Sequence, residues 1–181
     1  MWTYIRQLFQ LLLSPARGWE DVSASDLSYE NLLRKGFVPL LIITALSEFV
    51  QLAYSPSLTF WGAFGGAIAI GGGLFASLYA ARLFLDVTLS RYINSKVNLI
   101  KVNTMVTYMI GLDCFYRILA DVLPATMTFL SFLPLISILV LFKSTAYIEV
   151  PEDKVVNYLL LTFAGVIVFP VFICALLLLI I

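Results

Sequence analysis

An all-α bundle of transmembrane helices is the fold class this sequence predicts, and three observations predict it. Of 181 residues, 61% are hydrophobic and only 12% are charged, against about 25% charged in an ordinary soluble domain. With a mean hydropathy of +0.99, the chain lacks the polar surface to cover one core in water. Apolar stretches of spanning length recur along it. Its basic residues fall almost entirely in alternate loops.

The first 35 residues form a polar-to-apolar lead-in. Trp2, Ile5, Phe9 and Leu12 recur at helical spacing opposite Thr3, Arg6, Gln7 and Gln10. That pattern predicts an amphipathic cytoplasmic helix, lying at the membrane interface or packed on the protein's own inner side. Trp2 and Trp19 are the expected interfacial anchors. The run Leu8–Leu13 is broken by Gln10 and has no small-residue cleavage site before Pro15, so it does not read as a signal peptide. Pro15 ends the first helix, and Asp26 is placed to cap a second, 27–34, leading into the first span.

Residues 36–181 make up the membrane domain. Crossing about 30 Å of hydrocarbon takes roughly 17–25 apolar residues, and five stretches qualify: 37–54, 60–85, 102–123, 126–142 and 155–181. Pro39 falls in the first turn of its span, whereas Pro134 and Pro170 are expected to kink theirs. Arg6, Arg17, Arg34 and Lys35 precede the first span. Arg82, Arg91, Lys96 and Lys101 belong to the second loop, and Lys143 and Lys154 flank the fourth. Only Arg117 stands apart. Positive charge on one side predicts a cytoplasmic N-terminus and an external C-terminus.

The second span is rich in small residues: Gly62, Gly66, Gly71, Gly73 and Ser77, with alanines between. Small side chains four apart let helix backbones approach closely. This implies tight packing within the chain, a homodimer face, or the wall of a lipid or solute groove. The setting is wrong for a phosphate-binding loop, since no strand precedes the glycines and no Lys-Ser/Thr follows.

Function classes narrow quickly. The sequence has no histidine, which removes Ser-His-Asp and Cys-His catalysis and His-held zinc or haem. Cys114 and Cys174 read as apolar packing residues within spans. No cofactor or metal is expected, and eleven basic residues balanced by eleven acidic ones do not suggest a nucleic-acid partner. Gly111-Leu112-Asp113 lacks the second glycine and partner aspartate that an intramembrane aspartyl protease needs. Lipid-modifying chemistry has no nucleophile–base pair to use.

What remains is a set of charges inside the spans, each costing several kcal/mol unless paired. Asp113, Arg117 and Asp121 share one face of the third span at i, i+4, i+8. Glu48 and Arg117 both lie about six residues short of the outer boundary, or about 9 Å at 1.5 Å per residue. This predicts a Glu48–Arg117 pair, with Asp121 assisting and Asp113 deeper. The alternative is that Glu48, Asp113 and Arg117 line a path for a small solute or ion.

The stretch Leu11-Leu12-Leu13-Ser14-Pro15-Ala16-Arg17-Gly18-Trp19-Glu20-Asp21-Val22, followed by five closely spaced spans, resembles bacterial members of the Yip1 family. The resemblance covers nearly the whole chain in architecture, though its motif is short. It implies the five-span fold, its topology and residence in a bacterial inner membrane, without a defined molecular activity; the expectation is a non-enzymatic protein that binds the membrane or a protein partner through its cytoplasmic N-terminal segment and second loop. Eukaryotic members are Rab-binding factors of vesicle traffic. Their Asp-Leu-Tyr-Gly-Pro signature is replaced here by Asp26-Leu27-Ser28-Tyr29-Glu30, so that role is not carried over.

Overall fold

The computed structural model describes residues 1–25, 28–92, 98–123 and 133–180, and every regular element among them is helical. In order these are α1 (Trp2–Leu13), α2 (Pro15–Ser23), α3 (Tyr29–Ala53), α4 (Phe60–Tyr92), α5 (Leu99–Val122), α6 (Leu133–Ile148) and α7 (Glu152–Ile180). Three segments, Tyr29–Ala53, Phe60–Arg91 and Glu152–Ile180, are long and apolar enough to cross a membrane. Helix α5 has the length but carries Lys101, Asp113, Arg117 and Asp121, while α6 is apolar but spans 16 described residues.

Side-chain pairings give the directions of these helices. At one end Arg82 of α4 bonds Asn103 of α5, and Lys101 of α5 meets Glu149 just after α6. At the other end Tyr54 of the α3 terminus reaches the Asp121 carbonyl of α5. Gly165 of α7 lies against Leu85 of α4, and Gly73 of α4 against Cys174 of α7. Sequence neighbours from α3 to α7 therefore run antiparallel, around a core that includes Leu78, Leu85, Met105, Met109, Ile110 and Leu112.

Helix starts follow local chemistry. Asn98 caps α5 by accepting from the backbone N–H groups of Ile100 and Lys101. Ser28 caps α3 through the Asn31 N–H; Asp26, the expected cap, and Leu27 lie outside the described residues, as do 93–97, 124–132 and 181. Helix α3 runs without interruption from Tyr29 into the first apolar stretch, so the expected separate short helix does not exist. Pro39 then lies ten residues into a continuous helix, not in a first turn. A π turn at Leu33–Phe37 precedes it, and a second π turn, Ala164–Val168, precedes Pro170. Proline lacks an N–H and crowds the carbonyl of the preceding turn. A widened turn just upstream accommodates both defects. Pro134 falls at the start of the described part of α6.

The first two helices fold back on each other as a hairpin. Ser14 separates them, Pro15 opens α2, and Gly18 lies directly against Leu11, where a Cβ would stand 2.7 Å from the Leu11 Cα. The face of α1 that enters the protein is Tyr4, Gln7, Leu8 and Leu11, not the Trp2–Ile5–Phe9–Leu12 stripe. Trp2 is 80% exposed. The expected polar residue Gln7 is buried because its side-chain oxygen accepts from the Tyr108 hydroxyl, 2.5 Å away.

Trp19 is a second correction. It is 3% exposed, and its Nε1 donates to the Val140 carbonyl of α6 at 2.9 Å. Tyr147 stacks on its ring with centroids 4.9 Å apart. Its N–H has found a protein acceptor, so Trp19 anchors α2 to α6 instead of anchoring the chain in lipid headgroups.

Candidate functional site

The charges within the helices meet near the Tyr54 end of the bundle. Glu48 sits at the start of the short 3₁₀ stretch closing α3, and Arg117 sits on α5 facing it. Arg117 donates to Glu48 Oε1 from both Nε, at 2.8 Å, and Nη2, at 2.6 Å. Its Nε also lies 3.3 Å from Asp121 Oδ1, one turn along the same helix. The three side chains are 7%, 37% and 2% exposed for Glu48, Arg117 and Asp121, so the carboxylates are enclosed and the guanidinium has one open edge.

Asp121 is held on every side. Ser47 Oγ donates to its Oδ2 at 2.7 Å, Gln51 Nε2 to its Oδ1 at 2.8 Å, and the Tyr54 hydroxyl to its backbone carbonyl. Gln51 Nε2 also lies 3.1 Å from Glu48 Oε2. Ser47, Gln51 and Tyr54 were not singled out in the sequence. With Glu48 they recur along one face of α3 at helical spacing, which was the available signal. A buried ion pair needs its remaining lone pairs satisfied; Ser47 and Gln51 supply those donors to the carboxylates, and Tyr54 ties down the backbone carbonyl beside them.

The glycines of α4 make room for this site and for α7. A Cβ at Gly66 would stand 3.2 Å from Glu48 Oε2, one at Gly71 would stand 3.1 Å from Ala45 Cβ, and one at Gly73 would stand 2.6 Å from Cys174 Sγ. Ser77 is buried and returns its hydroxyl to the Gly73 carbonyl. Gly62 abuts only Leu58 and Thr59 of its own lead-in, and Gly72 has open space beside it. The small-residue stripe thus packs against two different helices.

Asp113 is placed apart from the paired cluster. Among the described residues no hydrogen bond or ion pair joins its carboxyl to another side chain. It faces a cleft of about 380 Å³ between α4, α5 and α7, shared with Tyr116, Arg117, Ala120, Cys174 and Pro170 and otherwise walled by aliphatic side chains. The structure therefore brings Glu48, Arg117 and Asp121 together, and puts Asp113 and Arg117 on a cavity wall. Among the described residues no cluster of three His, Cys, Asp or Glu is arranged to hold a metal ion.

No family model matches this chain, and no curated protein or solved structure is significantly similar to it.

Proposed function

We propose that this chain is a non-enzymatic, five-span protein of Yip1 type in a bacterial inner membrane. Its N-terminus is cytoplasmic, its C-terminus is external, and it acts by presenting its N-terminal hairpin to a protein partner. The antiparallel order of α3 to α7 supports five crossings, as does the gathering of Arg34, Lys35, Arg82, Lys101 and Lys154 toward one end. The observation that carries the partner reading is the outer face of the hairpin. Thr3, Arg6, Gln10 and Asp21, with the buried Gln7 at the floor, line a polar groove of about 200 Å³ there, on two helices whose opposite face is fastened to α5 and α6. A rigid platform presenting both charge signs suits recognition of a polar protein surface.

A photo-crosslinking side chain at Gln10, compared in intact cells with one at the apolar, outward-facing Leu160, tests this. Discrete protein adducts are expected from Gln10 alone. An adduct pattern identical to that of Leu160 would sink the partner reading. A reporter fused to the C-terminus and active only in the cytoplasm should be silent; activity would overturn the orientation.

A second reading, a small-solute or ion transporter, is favoured by one observation: Asp113 and Arg117 share the wall of the 380 Å³ cleft. Against it, Glu48 and Asp121 are enclosed by protein partners. Proteoliposomes should show no ion or solute leak above that of empty vesicles; a saturable flux lost in Asp113→Asn would establish transport instead.

A further inference from the structure

We propose that the cleft beside Asp113 is a binding site for an organic cation with an apolar body. The first support is charge. Glu48, Asp113 and Asp121 place three carboxyl groups around one guanidinium, and Arg117 is committed to Glu48 and Asp121 through Nε and Nη2. The third carboxyl has no counter-charge among the described residues. Within a membrane-spanning bundle an unpaired carboxylate is costly, and it calls for a proton or a cation. The second support is shape. The space in front of Asp113 is about 380 Å³, within the range of small-molecule pockets of roughly 300–1,000 Å³.

The walls define the rest of the ligand. Ile70 and Leu74 of α4 and Ile167 and Val171 of α7 offer aliphatic surface on two sides, so the body must be apolar. Tyr116 also lines the cleft, and its hydroxyl accepts from Ser137 on α6, which holds the ring in place. An aromatic ring on the wall of a mostly apolar cleft favours a cation further. An anion is disfavoured: Arg117 is its one attraction, and Glu48 and Asp121 already lie on that guanidinium. The site is distinct from the hairpin groove, so the proposal holds whether or not a protein partner binds there.

Calorimetric titration of the purified full-length protein in an uncharged detergent tests it, with phenylbutylamine and phenylbutyrate as probes of similar shape and opposite charge. Saturable binding and a raised melting temperature are expected for the amine, and neither for the carboxylate. Asp113→Asn should weaken amine binding by about tenfold or more, the loss expected for one charge-assisted contact. Ala120→Phe, which fills the cleft while leaving every carboxyl in place, should abolish it. Equal binding of both probes, or unchanged amine affinity in Asp113→Asn, would overturn the proposal. Should Asp113→Asn fail to fold, unchanged amine affinity in folded Ala120→Phe overturns it as well.

Discussion

Tyr4 lies across Gly111 so closely that its hydroxyl end occupies the place where a side chain at that position would begin. The Tyr4 hydroxyl continues past it to the Thr107 carbonyl at 2.9 Å, and the other side of the ring fills the space at Gly36, where a Cβ would stand 2.7 Å from Tyr4 Cγ. Two glycines on two long helices thus make the seat for one aromatic residue of the hairpin. Gly111→Ala should lift α1 from α5, costing about 1–3 kcal/mol as overpacking does. The variant should unfold at a lower temperature and be cut by added protease within the hairpin before the rest of the chain. Unchanged protease resistance would contradict this seat.

Trp19→Phe keeps most of the ring but removes the N–H donated to Val140. A loss of about 1–2 kcal/mol is expected, the size of one buried hydrogen bond and its abandoned acceptor. The tryptophan fluorescence of the native protein should be shielded from aqueous quencher at Trp19 and open at Trp2. Equal quenching of the two, resolved with single-Trp variants, would count against the burial described.

Glu48 and Arg117 should behave as one unit. In detergent, Glu48→Ala and Arg117→Ala each destabilise the protein. The double variant should lose less than the sum, with a coupling energy of about 1–3 kcal/mol. Strict additivity would show that the pair contributes nothing beyond its separate members. Gln51→Leu should also weaken the fold, because it withdraws a donor from Glu48 and Asp121 together.

Glu149 ends α6 with a positive φ of 62°. The N–H of Val150 bonds the Thr145 carbonyl and that of Glu149 the Ala146 carbonyl, a helix-ending pattern in which glycine usually takes the left-handed place. Glutamate stands here instead, and Lys101 Nζ meets its carboxylate at 2.5 Å. Lys101, through that hydrogen bond and its charge, holds the Glu149 carboxyl below the ordinary glutamate value. A lowered folded-state value means the contribution is present at neutral pH and fades as acid brings the pH down through it. Glu149→Gly should therefore lose the acid-dependent part of stability below the usual glutamate range while relaxing the backbone. A pH–stability profile identical to the native one would sink this account.

Much of the helical layout was legible because apolar runs have a physical length requirement: 60–85 lies within a helix that meets it, and 37–54 overruns another by one residue. The meeting of Glu48 with Arg117 was legible from depth alone, since two opposite charges at one level in an apolar medium have few other partners. The hairpin's buried face was not. Its choice of Tyr4 and Gln7 depends on Gly36, Gly111 and Tyr108, residues distant in sequence whose shape and hydrogen bonding leave no periodic trace in α1. The π turns were hidden for a related reason: a proline signals a defect, but not whether the preceding turn widens to absorb it. Trp19 misled because tryptophan suits a lipid interface and a buried acceptor equally well.

The contacts of the hairpin also impose an order of assembly. Tyr4 finds its acceptor 103 residues later and Trp19 finds its own 121 residues later. The seat of Tyr4 is thus complete once Thr107 and Gly111 are made, but Trp19 has no acceptor until Val140 follows. Until both are made, Tyr4, Leu8, Leu11 and Trp19, all buried in the finished protein, lack the partners that cover them. The hairpin therefore locks fully only after α6 exists, and its docking reports that the chain as far as Val140 is in place.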